Sequence, residues 1–350
     1  MASSSIQKSA EQERYPSAFS RWWNSKAMKR FRRNPLAITG ALLILFFVVV
    51  AVSAPLITTP GRSCLRDLGL SARTVGEVNN PLKPAFWRLM FAQPLPSAPL
   101  SSCYTIPRTT FSPVPQPPNA ESIFGTSSRG YDIYYGLVWG TRTAFFIGFL
   151  VISVSLSIGL LIGSIAGYFG GWIDNILMRF TDVIISVPSL VMAIVIVTIL
   201  GQSLVNIMLA IAIVGWPTYA RLVRGDILRV KEQEYVDGAR ALGAGNLGII
   251  FKHVLPNSIG SIIIVASLDI GTVVITAAAL SFLGLGPPPG FADWGQMISF
   301  ARDWILGPPN DPFAYWYVSF WPGFVIVLFV LGWNLLGDAF RDVNDPRSGT

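Results

Sequence analysis

Glu234-Tyr235-Val236-Asp237-Gly238-Ala239-Arg240-Ala241-Leu242-Gly243, running on to His253-Val254-Leu255-Pro256-Asn257, is a polar island between two long apolar runs. Its first part has helical spacing, because Tyr235, Ala239 and Leu242 fall at i, i+4 and i+7 on one face. Glu234 and Asp237 lie near the amino end, where negative charge suits the helix dipole. Gly243 is well placed as the stop. The spacing therefore predicts a short helix held between two spans, serving either as a solvated connector or as a docking element. Docking requires small residues that let a partner approach and a rigid link to the spans. Gly238, Ala239 and Ala241 meet the first need, and the short entry to the next run marked by Pro256 meets the second.

The flanking runs fix the class. The chain has 350 residues, of which 52% are hydrophobic and 13% charged, where a soluble domain carries about 25% charged residues. Apolar segments occupy Leu36–Ile57, Thr143–Gly167, Val183–Gly201, Leu204–Leu222, Ser258–Leu283 and Ser319–Leu336, each near the roughly 17–25 residues a membrane span needs. A soluble domain with several buried helices does not produce this set of lengths. A signal peptide is the competing reading of the first run, with Ala51-Val52-Ser53-Ala54 resembling a cleavage site, but the long preceding polar segment and the length of the run favour an uncleaved anchor. Gly201-Gln202-Ser203 is a tight turn that makes the third and fourth spans antiparallel neighbours.

Six spans put both ends on one side. Lys26, Lys29, Arg30, Arg32 and Arg33 crowd the first span, so residues 1–35 are expected in the cytoplasm, and with them the tail 341–350. The island 234–257 then falls inside too, with Arg224, Arg229, Lys231, Arg240 and Lys252 in agreement. The net charge of +7 thus reads as membrane orientation rather than affinity for nucleic acid. Trp22, Trp23, Trp316, Trp321 and Trp333 lie near the ends of apolar runs, as an interfacial belt requires. Gly159, Gly163 and Gly167 make small-xxx-small spacings, used either within the bundle or at a subunit interface.

Residues 58–124 form an extracytoplasmic, Pro-rich excursion, expected to be extended or irregular. It holds Cys64 and Cys103, and an oxidising compartment allows a disulfide between them. The excursion is either a tolerated insertion or a surface that touches a partner or caps the pathway. With one histidine, His253, and no CxxC, a zinc site has no ligand set.

The island resembles the EAA loop of binding-protein-dependent ABC importer permeases, whose pattern is Glu-Ala-Ala, three residues, Gly, nine residues, Ile-x-Leu-Pro. Asp237-Gly238-Ala239, Gly243 and His253-Val254-Leu255-Pro256 hold that spacing. Asp237 keeps the charge on a shorter stem, His253 replaces Ile, and Gly238 replaces Ala at a cost of about 1 kcal/mol in helix propensity. Phe124-Gly125-Thr126-Ser127-Ser128-Arg129-Gly130-Tyr131-Asp132 resembles the segment before the family's second span, with Gly and Arg transposed. Leu280-Ser281-Phe282-Leu283-Gly284-Leu285-Gly286 with Trp294-Gly295, and Asn334-Leu335-Leu336-Gly337-Asp338 with Arg341-Asp342 and Asp345-Pro346, are similar to the dipeptide/oligopeptide/nickel branch and its C-type subunits.

The resemblance implies an all-α, type I importer permease with six spans in a prokaryotic cell membrane, residues 125–340 forming the core permease domain. It implies a homologous B-type permease, two ABC ATPases carrying ATP and Mg, and an extracytoplasmic binding protein as partners. Glu234, Tyr235, Asp237, Gly238, Ala239, Arg240, Leu242 and Gly243 would dock onto an ATPase. No cofactor is expected in this chain, and no nucleic acid as partner. The expected cargo is a dipeptide or oligopeptide, with nickel or another small solute as the alternative.

The chain has no Gly-x-x-x-x-Gly-Lys-Ser/Thr loop, so it is expected to hydrolyse no ATP. Gly243-Ala244-Gly245-Asn246-Leu247-Gly248 matches GxGxxG but follows a helix rather than a strand. Asp269, near the middle of the fifth span, either faces the pore, where it would meet a peptide amino group, or makes a structural hydrogen bond to a neighbouring helix. An ion-coupled carrier would need further acids in several spans, and a scaffold would need no docking helix.

Overall fold

The computed structural model describes residues 26–70, 83–96, 98 and 100–344. Trp22, Trp23, Asp345 and Pro346 lie outside them. A basic helix α1 (Lys26–Arg33) leads into the first apolar run, which forms α2 (Pro35–Ile57). Asn34 starts α2 by accepting hydrogen bonds from the N–H groups of Leu36 and Ala37, and Pro35 occupies the first turn, where a missing N–H costs nothing. There follow α3 (Arg62–Asp67), α4 (Pro84–Met90), α5 (Ile133–Phe169), α6 (Gly171–Ile185), α7 (Ser189–Leu200), α8 (Leu204–Val230), α9 (Glu234–Ala241), α10 (Asn246–Ile249), α11 (Leu255–Phe282), α12 (Trp294–Ala301) and α13 (Trp316–Asn344). Among the described residues there are isolated β-bridges but no strand.

Helices α2, α5, α8, α11 and α13 are each long and apolar enough to cross a membrane, and α6 with α7 makes a sixth candidate as a bent pair. The straight span expected over Val183–Gly201 is therefore broken. Helix α7 has 12 residues, about 18 Å at the helical rise, well short of the hydrocarbon thickness of about 30 Å. It meets α6 at 85°. Pro188 at the junction lacks an N–H and disfavours helical geometry in Val187 before it. The turn after α7 forms at Gly201, with φ +93°, and Asn206 Nδ2 donates to the carbonyls of Leu200 and Gly201.

Hydrogen bonds sort the loops onto two sides. Asn34 Nδ2 donates to Asp342 Oδ2 at 3.1 Å, so the start of α2 and the end of α13 share one side. Lys231 Nζ donates to the Gly167 carbonyl at 2.9 Å, which puts α9 beside the far end of α5. On the opposite side, Trp139 Nε1 at the beginning of α5 donates to Thr58 Oγ1 just beyond α2. The excursion and α12 lie on that side: Trp294 Nε1 of α12 donates to the Leu137 carbonyl of α5.

The bundle centres on α5 against α8. A Cβ on Gly159 would come within 2.4 Å of Tyr219 Cβ, and one on Gly163 within 2.5 Å of the Ala220 carbonyl oxygen. The small-residue face is thus used inside this chain, letting two backbones approach. Trp333 is not an interfacial residue: it is buried beside Phe145, Phe149 and Phe329. Trp321 stacks on Phe124 with ring centroids 4.3 Å apart. Large rings near a span end are as useful for filling a core as for meeting headgroups.

The described part of the excursion is folded. Helix α5, at 37 residues, is about 55 Å long, and its first turns project into the excursion. Tyr135 Oη donates to the Cys103 carbonyl at 2.7 Å. The Arg142 guanidinium donates to the carbonyls of Leu89, Met90 and Ala92, satisfying backbone groups where α4 ends. A disulfide joins Cys64 to Cys103, and Leu65, Phe86, Leu89, Tyr104 and Ile106 are buried around it. Most of this set is continuous with the core of the bundle, which makes the excursion a stapled cap rather than a loose insertion. The transposed Arg129-Gly130 also has a reason: a Cβ at Gly130 would lie 1.7 Å from the Thr110 carbonyl oxygen, at a φ of +74°.

Candidate functional site

Helix α9 is the first part of the polar island, and its termini follow the sequence expectation. Glu234 and Asp237 are in its first turn, and Gly243 follows its end with φ +84°. The N–H groups of Gly243 and Ala244 donate to the carbonyls of Arg240 and Ala239, closing the end of the helix. Arg240 Nη1 meets Asp237 Oδ1 at 2.9 Å, an exposed pair within the helix.

The facing of α9 is the informative result. The residue that anchors it is Val236, fully buried among Val223, Ile227 and Val230 of α8 and Ile249, Val254 and Ile262. Tyr235 is 45% exposed and Leu242 90% exposed. The apolar face read from the spacing therefore points outward, and one out-of-step valine holds the helix to the bundle. The signal in the sequence was Val236 itself, apolar yet off the Tyr235–Ala239–Leu242 face. A Cβ on Gly238 would meet nothing within 4 Å. The outer surface of α9 thus combines two exposed apolar side chains with open space over Gly238.

The link onward is irregular. Residues Ile250–Val254 make a π-helical turn between α10 and α11, and Leu255 N–H donates to the Ile250 carbonyl. Pro256 lacks the N–H for an ordinary turn and crowds the carbonyl four residues back, and the wider π turn accommodates it. On the other flank Arg224 of α8 grips Asp174 of α6 through Nε and Nη2, at 2.5 and 2.6 Å. Helix α9 is in this way connected to α8, α6 and α11 together. The GxGxxG match lies in the α9–α10 connection and the start of α10, with no strand before it, so it lacks the context of a phosphate loop.

Asp269 is the second site. Its Oδ2 accepts a hydrogen bond from Tyr219 Oη of α8 at 2.8 Å. The bond to a neighbouring helix is present, and the carboxyl also borders a cavity of about 220 Å³ between α5, α7, α8 and α11. A larger groove of about 640 Å³ lies between α2, α5 and the excursion. Its charged residue, Arg142, already donates to three carbonyls, so it offers less chemistry than the Asp269 cavity. Among the described residues no three His, Cys, Asp or Glu side chains gather as a metal site. Outside the spans, burial pushes the Asp293 carboxyl above its ordinary range, opposed by hydrogen bonds from Ser281 and the Gln296 and Gly295 N–H groups. Asp293 caps α12, accepting from Gln296 N at 3.0 Å, which makes it a structural group of the capped side.

Residues 159–349 match the family described as binding-protein-dependent transport system inner membrane component. Residues 20–67 match the N-terminal TM domain of oligopeptide transport permease C. The chain is 38% identical to a dipeptide transport system permease protein DppC of Alkalihalophilus pseudofirmus, over 92% of this chain and 89% of that one. It is 41% identical to a glutathione transport system permease protein GsiD of Pectobacterium atrosepticum, over 66% of this chain and 74% of the relative. A solved structure of the MetNI methionine ABC transporter, inward facing, aligns with 61% of this chain and 98% of its own at 19% identity and a TM-score of 0.48. With its membrane-crossing helices and these matches, the chain belongs to the family of binding-protein-dependent inner membrane components and is a multi-pass permease subunit of an ABC importer.

Proposed function

We propose that this subunit is the C-type half of a heterodimeric peptide importer and that α9 is its docking helix on an ABC ATPase. The partner permease would be the homologous B-type chain, and ATP and Mg would reside on the two ATPases. The α9 side of the bundle would then face the cytoplasm, with the stapled cap outside, where the binding protein delivers cargo. The basic α1 on the α9 side supports this orientation. Cys64–Cys103 on the other side suits an oxidising compartment. For the cargo, the relatives named for dipeptide and for glutathione point to small peptides, whose common chemistry is an amide, a carboxylate and a primary ammonium.

The observation that carries the docking assignment is the outward face of α9: Tyr235 and Leu242 exposed, open space over Gly238, and Val236 alone pinning the helix. ATP-driven closure of the ATPases would push on α9, and α8 and α11 would carry that push to the spans. Such a push shifts the inward–outward balance only as far as ATP binding favours one state over the other. The test is Gly238→Trp, whose Cβ meets no atom of this chain within 4 Å. The variant is expected to fold and insert normally while losing co-purification with the ATPases and ATP-dependent uptake. Retention of both at wild-type level would remove α9 from the interface.

A further inference from the structure

We infer that Asp269, held by Tyr219, is a seat for the primary ammonium group of the cargo on its way through this subunit. The inference rests on the peptide reading above and adds to it a specific contact. Asp269 stands on α11, inside a membrane-crossing helix, where a carboxylate ordinarily has a cationic or hydrogen-bonding partner. Among the described residues its hydrogen-bond partner is the Tyr219 hydroxyl on Oδ2, and none of the ion pairs includes it. A phenol fixes one oxygen and brings no positive charge. Asp269 itself lines the cavity of about 220 Å³.

The cavity walls mix apolar side chains, among them Val151, Ile211 and Val273, with hydroxyls. Ser189, Thr218 and Thr272 line it and are exposed, and Ser155 lines it from α5 with its hydroxyl donated to the Ala212 carbonyl. Exposed hydroxyls grouped around an acid within spanning helices mark a path for water and polar solutes. Tyr219 is 2% exposed and pinned where α8 packs on the glycines of α5, so the acid it holds is presented from a rigid wall. A cation entering there would gain a charge-assisted hydrogen bond in surroundings of low dielectric, and a neutral solute would not.

Two measurements test this. In the first, Thr272→Cys introduces a thiol one helical turn from Asp269 on the same face. Its labelling by an ammonium-bearing and a sulfonate-bearing methanethiosulfonate is compared, in the assembled importer in lipid, with and without Asp269→Asn. The preference for the cationic reagent is expected to fall at least about 10-fold when Asp269 is neutralised. An unchanged ratio, or no labelling by either reagent, overturns the seat whatever the cargo is. In the second, the importer in proteoliposomes receives binding protein preloaded with a dipeptide or its N-acetyl form. Asp269→Asn is expected to slow the free-amino peptide about 10-fold or more, with Asp269→Glu partly restoring it, while binding-protein-stimulated ATP hydrolysis persists. Equal slowing of both cargoes together with ATP turnover means a structural carboxyl and overturns the seat. A binding protein that takes up no peptide defeats the peptide reading alone, leaving the labelling result to decide the seat.

Discussion

Val236→Ala is the sharpest perturbation of the coupling region. Val236 is fully buried, and the other seven residues of α9 are exposed or only partly covered. An isolated helix of this length does not persist in water, so the docked state depends on that one side chain and on the flanking connections. The substitution removes two methyl groups worth about 0.8 kcal/mol each. With a small residual cavity the cost is about 2 kcal/mol. That lowers the ratio of docked to undocked α9 about 30-fold. Hydrogen exchange of the amides of Asp237–Leu242, measured on this subunit in lipid without the ATPases, is expected to quicken by that factor, because exchange through local opening tracks the open population. Amides of α13 should not respond. Tyr235→Ala removes a larger but exposed side chain and should change the same amides no more than about 2-fold. Equal exchange in the two variants would refute the single-anchor account of α9.

Two other features make separate demands. Gly159→Val puts a side chain where Tyr219 Cβ already lies 2.4 Å from the ideal Cβ position, so an overpacking cost of about 1–3 kcal/mol or more is expected, with lower folded yield and thermal midpoint. Gly260→Ala, which meets nothing, is the control, and equal yields would show that α5 and α8 tolerate a wider spacing. Cys64→Ser opens a link across a sequence separation of 39 residues, worth about 4 kcal/mol in the chain-entropy account. The cap around Tyr104 and Ile106 should lose exchange protection while α8 and α11 keep theirs, and unchanged protection in the cap would show that packing on α5 holds it without the staple.

Much of this protein was legible from residue order. A membrane span is declared by the length of its apolar run, since lipid offers the backbone no partners and leaves the helix to satisfy itself. Hence α2, α5, α8, α11 and α13 follow from composition, and α9 follows from Glu234, Asp237 and Gly243, whose effects act within one turn. The spacing of the island and the signatures around Trp294 and Asp342 also sufficed to place the chain in its family.

The tertiary structure decided facing and partnership. Periodicity marks an apolar face on α9 but carries no sign for in or out; the buried cluster on α8 and α11 took Val236 and left Tyr235 and Leu242 outside. Pro188 is visible in the sequence, yet the 85° bend between α6 and α7 depends on what each helix packs against. The glycines of α5 had two possible users until α8 was seen to occupy them. The excursion reads as irregular because its stability comes from contacts distant in sequence, Tyr135 on Cys103 and Arg142 on the end of α4, which no local pattern records. Asp269 was conspicuous from the start as an acid in an apolar run. That it meets one phenol and a partly hydroxyl-lined cavity depends on how α5, α7, α8 and α11 cross, a property of packed surfaces rather than of any single helix.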